Sequence, residues 1–85
     1  MKQAQEVYSR EFDQVFFSLP PNIRRQVVGK IRELGSRLAS FPHQRLQGRP
    51  EFRLRSGDYR VIYEFDVARN ILYLVTLGNR RDVYR

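Results

Sequence analysis

The chain has 85 residues, of which 41% are hydrophobic and 29% charged, so it makes one small globular domain rather than a chain disordered throughout. Sixteen Lys and Arg against nine Asp and Glu leave a formal charge of +7, and 14 of the bases are Arg, whose planar fork matches phosphate and stays charged at physiological pH. Such a balance marks a candidate binder of nucleic acid or of an acidic partner; the plainer alternative is a positive surface that only keeps the protein soluble.

In chain order, Ala4-Gln5-Glu6-Val7-Tyr8 reads as a short strand. Ser9 suits a helix N-cap, with Glu11 in the first turn. Phe12, Val15, Phe16 and Leu19 recur at i, i+3, i+4 and i+7, one face of a first helix. Pro20-Pro21 stops it, and Pro21 suits the first turn of a second. Ile23, Val27, Ile31, Leu34 and Leu38 form the stripe of that second helix, with Arg24, Arg25, Lys30, Arg32 and Arg37 off its centre. Phe41-Pro42 is expected to close it. The period then changes to two. Phe52 and Leu54 alternate with Arg53 and Arg55; Tyr59, Val61, Tyr63 and Phe65 alternate with Arg60, Ile62, Glu64 and Asp66. A last run, Ile71 to Leu77, is apolar almost throughout and reads as a central strand covered on both faces. The expected fold class is α+β, one domain over residues 1–85. A short N-terminal strand and a two-helix hairpin pack on a mainly antiparallel sheet of about four strands, with the other sheet face open.

The turn at Ser56-Gly57-Asp58 decides where the arginines point. A two-residue turn at Gly57-Asp58, the type II′ pattern, pairs Ser56 with Tyr59 and Arg55 with Arg60. Arg53, Arg55 and Arg60 then share one face, and the apolar set shares the other. A three-residue loop instead pairs Arg55 with Tyr59 and splits the apolar set across both faces. Core consistency favours the first. Like charges directly opposite one another cost a few tenths to about 1 kcal/mol per pair. A face of that kind suits a bound anion; the alternative is an ordinary solvated edge, with arginine stems covering the sheet.

Gly78-Asn79-Arg80-Arg81-Asp82-Val83-Tyr84-Arg85 follows directly on the last strand, where functional groups often gather. Tyr84 suits stacking on a base, or a plug for a loose tail. Cys is absent, which excludes thiolate chemistry and fits a reducing cytoplasm. Residues 1–20 show no apolar core of a secretory signal, and no run of about 18 apolar residues offers a transmembrane helix. His43, the single His, reads as a surface residue in the loop after Pro42, so a two-histidine nuclease is excluded. No metal-ligand spacing, phosphate-binding glycine loop or nucleophile elbow occurs. Any chemistry must come from Arg, Tyr and a carboxylate such as Glu51.

The block Leu46-x-Gly48-x-Pro50-Glu51-Phe52-Arg53-Leu54-Arg55-Ser56-Gly57-Asp58-Tyr59-Arg60-Val61-Ile62-Tyr63 resembles the central block of RelE/ParE-superfamily toxins. The Phe17-Ser18-Leu19-Pro20-Pro21 turn and the paired helices match as well, and the Arg80-Arg81-Asp82-Val83-Tyr84 ending resembles the RelE branch. The resemblance implies a bacterial or archaeal toxin of a type II toxin–antitoxin pair, cytoplasmic, partnered by a cognate antitoxin protein. It further implies entry into the ribosomal A site and cleavage of mRNA there by 2′-hydroxyl attack on the adjacent phosphate, with no cofactor, metal or membrane involved. Carried over by position, the catalytic residues are Arg53, Arg55, Arg60, Arg80 and Tyr84, with Glu51 a second candidate base. Arg45, Arg49, Arg81 and Arg85 are the expected additional RNA contacts. Relatives carry Lys where this chain has Arg53 and Arg55. Since Arg does not give up its proton, these two read as electrostatic clamps rather than bases. Asn79 stands where relatives often have His or Lys. Two alternatives remain beside this reading, a ParE-like toxin that binds DNA gyrase without nuclease chemistry and a non-catalytic RNA-binding module.

Overall fold

The computed structural model describes residues 2–79. The elements run β1 (Gln5–Tyr8), α1 (Arg10–Phe16), α2 (Pro21–Ser36), β2 (Gln44–Arg45), β3 (Phe52–Ser56), β4 (Tyr59–Asp66) and β5 (Ile71–Asn79). They build an α+β fold with one mixed sheet in the order β1-β5-β4-β3-β2. β2 through β5 are antiparallel neighbours, and β1 returns parallel to β5. The expected strands are all present; a fifth, of two residues, adds itself at the β3 edge.

The helices begin where their caps dictate. Ser9 Oγ accepts from the Phe12 backbone N–H at 3.0 Å and donates to the Val75 carbonyl. One hydroxyl thus caps α1 and ties it to β5 at the point where the β4–β5 register shifts. Pro20 precedes α2, and Pro21 supplies the fixed φ of its first turn. The stripes expected of both helices pack inward. Phe12, Leu19, Val27, Ile31, Leu34 and Leu38 are buried against Leu54, Val61, Tyr63, Leu72, Leu74 and Leu77 of the sheet. Both helices therefore cover the same face.

Helix α2 ends at Ser36, short of the expected stop at Phe41-Pro42. The reason lies far off in sequence. The Ala4 N–H donates to the Gly35 carbonyl at 3.0 Å, and Gln3 Nε2 donates to the Arg32 carbonyl at 3.0 Å. The N-terminal segment thus takes up carbonyls of the last helical turn. It passes so close that a Cβ on Gly35 would stand 2.6 Å from Gln3 Nε2. Turns at Arg37–Phe41 carry the chain onward and still bury Leu38.

β5 is interior to the sheet, as its composition suggested, but its two faces differ. Leu72, Leu74 and Leu77 are buried under the helices, whereas Tyr73 and Thr76 are half-buried on the other face. Val75 is the extra residue at the register shift, which keeps the buried leucines in phase on both sides of it.

Candidate functional site

The two-residue turn forms. Ser56 pairs with Tyr59, Arg55 with Arg60, Leu54 with Val61, Arg53 with Ile62 and Phe52 with Tyr63. Gly57 has φ +60°, and Asp58 is not among the positive-φ residues, which fits the II′ geometry that Gly in first place allows. Phe52, Leu54, Tyr59, Val61, Tyr63 and Phe65 consequently face the helices, and all belong to the core or pack on it. Arg53, Arg55 and Arg60 fall on the open face.

Two rows cross that face. Gln44, Arg53, Ile62 and Thr76 are successive register partners in the first, and Arg55, Arg60 and Gly78 in the second. Gly78 contributes no side chain beside Arg60. Gln44, Arg53, Arg55 and Arg60 line a cleft of about 90 Å³. With about 30 Å³ per water in the liquid, that holds roughly three waters, the scale of a phosphate group and well short of a nucleotide. Gln44 Oε1 accepts from Arg53 Nε at 3.2 Å.

The remaining expected residues divide. Arg49 lines an adjoining hollow of about 350 Å³ with Leu46, Gln47 and Arg53. Arg45 lies on the opposite parity, its guanidinium 4.8 Å over the Phe52 ring. Glu51 has the parity of Arg53 and Arg55, and its carbonyl accepts from the Leu46 N–H at 2.9 Å. Its Oε1 is buried without a hydrogen-bond partner among the described residues. Arg80, Arg81, Tyr84 and Arg85 lie outside the described residues.

The open face is also less open than alternation implies. Leu46 and Ile62 are only 4% and 3% exposed, yet neither belongs to the main core cluster. Ile62 is the register partner of Arg53 on β4, and Leu46, just past β2, lines the hollow shared with Arg49 and Arg53.

His43 corrects the sequence reading. It is half-buried rather than a free surface residue, with Nδ1 2.7 Å from the Tyr63 hydroxyl and Nε2 2.7 Å from the Leu38 carbonyl. A carbonyl only accepts, so Nε2 carries a proton. The ring stacks on Phe65 at 3.9 Å, with Phe41 and Phe52 also beside it. Burial pushes the Tyr63 phenol well above its ordinary value, so it remains a neutral partner for His43. Together with Gln44, this is the part of the site that sequence reasoning missed. The only available signal was that a lone His and a Gln stand directly before an arginine-rich hairpin.

The family model for the ParE toxin of the type II toxin–antitoxin system parDE matches residues 2–84. The chain belongs to this family, within the RelE/ParE superfamily. It is thus a toxin of the type II toxin–antitoxin class. No curated protein sequence gives a significant match. Solved structures do. The toxin resembles a chain of the archaeal RelE–RelB complex from Pyrococcus horikoshii at TM-score 0.76 and 22% identity, over 96% of this chain and 100% of that one. It resembles a chain of the RelBE2 toxin–antitoxin complex from Mycobacterium tuberculosis at TM-score 0.75 and 22% identity, over 96% and 97% of the two chains. For the isolated E. coli RelE toxin the values are 0.74 and 21%, over 95% of this chain and 90% of that one. These likenesses show a RelE-type fold. No helix among the described residues is long and apolar enough to cross a membrane.

Proposed function

We propose that this toxin is a ribosome-dependent endoribonuclease that cleaves mRNA in the A site, and that an acidic cognate antitoxin neutralises it. The observation that carries the reading is the phosphate-sized cleft walled by Arg53, Arg55 and Arg60 on one sheet face. Arg55 and Arg60 stand directly opposite one another beside this hollow, and guanidinium forks match phosphate oxygens, which supports a phosphodiester as occupant. The RelE likenesses include toxins held in complexes with RelB, which supports the antitoxin as partner.

In this mechanism the 2′-hydroxyl oxygen attacks the adjacent phosphorus and the P–O5′ bond breaks. The products are a 2′,3′-cyclic phosphate and a free 5′-hydroxyl. Arg53, Arg55 and Arg60 clamp the charge that builds on the phosphorane oxygens. They serve as donors only, since a guanidinium does not give up its proton. The 2′-proton goes to Tyr84 as its phenolate or to the Glu51 carboxylate; the leaving 5′-oxygen is stabilised by Arg80 and takes its proton from water. Arg49, Arg81 and Arg85 add contacts to the RNA backbone, while Arg45, stacked over Phe52, contributes charge at the rim. The chain lacks a histidine positioned in the cleft, so positioning by the ribosome supplies much of the rate.

The name of the matching family model favours a second reading, a ParE-like toxin that binds DNA gyrase. Toeprinting on translating ribosomes decides between them. The nuclease reading expects cuts within the A-site codon, lost in Arg60→Ala. Intact mRNA together with inhibited DNA supercoiling by gyrase would support the second reading and overturn the first.

A further inference from the structure

We infer that Gln44 is a positioning residue of the phosphate cleft, orienting Arg53 from a two-residue strand that His43 clamps in place. The identity of the anion as an RNA phosphodiester rests on the function proposed above; the positioning geometry does not.

Among the described residues four line the cleft, and three are guanidiniums, which donate and never accept. Gln44 is the one able to accept among these four. Arg53 Nε only donates, so the Gln44 atom 3.2 Å away must be the carbonyl oxygen, and the amide NH₂ is left as the donor end. A neutral acceptor holds the Arg53 plane without neutralising its charge, as an Asp or Glu in that position would. An arginine held in one orientation loses less freedom when an anion arrives, and binds it more tightly for the same contacts.

Gln44 needs holding in turn, because a two-residue edge strand is not stable by itself. The clamp is the preceding residue. His43 is fixed at both ring nitrogens, to Tyr63 of β4 and to the Leu38 carbonyl after α2, and its ring lies flat on Phe65. The following residue, Arg45, is held over Phe52. Gln44 thus stands between two anchored neighbours, and its own side chain is turned to the opposite face, beside Arg53.

The test is a double-mutant cycle on the full chain, read as affinity for a fully 2′-O-methylated single-stranded RNA oligonucleotide, which binds without being cut. Gln44 is exposed, so Gln44→Leu is expected to fold. It should weaken binding about fivefold, the worth of roughly one net hydrogen bond. Arg53→Leu should weaken it more, and the double variant should match Arg53→Leu alone, because Gln44 acts through Arg53. In NMR spectra the Arg53 Nε–H signal should move in Gln44→Leu while backbone signals of the core stay in place. Additive losses, or wild-type affinity in Gln44→Leu, would overturn the inference. Arg60→Ala serves as the control for the reading beneath it. If Arg60→Ala also binds the oligonucleotide with wild-type affinity, the phosphate site itself is wrong; if Arg60→Ala fails to bind and Gln44→Leu is normal, only the positioning role is wrong.

Discussion

The two faces of the sheet are made from alternate residues of the same strands, and they obey opposite rules. On the helix-covered face Leu54, Val61 and Leu77 lie in one row and Phe52, Tyr63 and Leu74 in the next, closed over by Phe12, Ile31 and Leu34. There every neighbour favours the folded state. On the other face Arg55 stands against Arg60 with Gly78 beyond, and Arg53 leans on Gln44. There like charges stand directly opposite one another, on strands whose other face is closed over by the helices. The contrast shows how a chain of 85 residues sets a cluster of like charges beside a core: alternation along each strand gives the two faces different side chains on one backbone.

Four measurements sharpen or break that contrast. The largest effect is expected from Ile31→Ala, at a position 1% exposed. Truncation there should cost about 2–5 kcal/mol of stability through lost burial and a residual cavity, seen as a lower urea midpoint with an unchanged m-value. A loss under about 1 kcal/mol would mean the helices are not what holds the sheet. Next, Arg60→Ala should slow cleavage of ribosome-bound mRNA about 100- to 1000-fold in single turnover, or roughly 2.7–4 kcal/mol of barrier if it resembles loss of one oxyanion donor. Its urea midpoint should fall far less than that of Ile31→Ala. A variant that loses stability and keeps its rate would reverse the roles assigned to the two faces.

The third concerns pH, and it also belongs to the covered face. Burial raises the Tyr63 phenol in the folded chain above its ordinary value near 10. Below that value the phenol is protonated in both states and stability is unaffected. Above it the unfolded chain loses the proton while the folded chain keeps it, so stability falls as pH rises, by at most about 1.4 kcal/mol per pH unit for one group. Urea melts from pH 9 upward check this; a flat profile in wild type would show that Tyr63 ionises as readily in the folded chain as in the unfolded one. The smallest effect is a gain. Arg55→Gln removes one of two opposed charges and should raise stability by a few tenths to about 1 kcal/mol in low salt, a gain that shrinks as salt screens the pair. If Arg55→Gln destabilises at every ionic strength, the opposed arginines are not a cost and the anion argument loses its premise.

Local pattern carried much of this structure. Ser9, Pro21 and the helical stripes are short-range signals; the stripe residues pack inward as their spacing indicated, although Leu19 and Leu38 lie just past the helix ends at Phe16 and Ser36. The decisive local signal was Gly57-Asp58. A two-residue turn sets the parity of both strands, and parity alone brings Arg53, Arg55 and Arg60 to one face. A family resemblance pointed to the same arginines, but the pleat reaches them without it.

What the tertiary structure decided are the features whose causes lie far apart along the chain. Helix α2 stops at Ser36 because Gln3 and Ala4 take its carbonyls, some thirty residues away, and no pattern inside the helix announces that. His43 is polar and stands next to a proline, which reads as surface; it is half-buried because Tyr63, twenty residues on, and Leu38 both offer partners. Gln44 reached the cleft only because that clamp made a strand of two residues that periodicity is too short to reveal. Periodicity reports which face a residue takes within its own element. Which distant group satisfies a polar atom on that face depends on how the elements pack, and that is where His43 and Gln44 acquired their places.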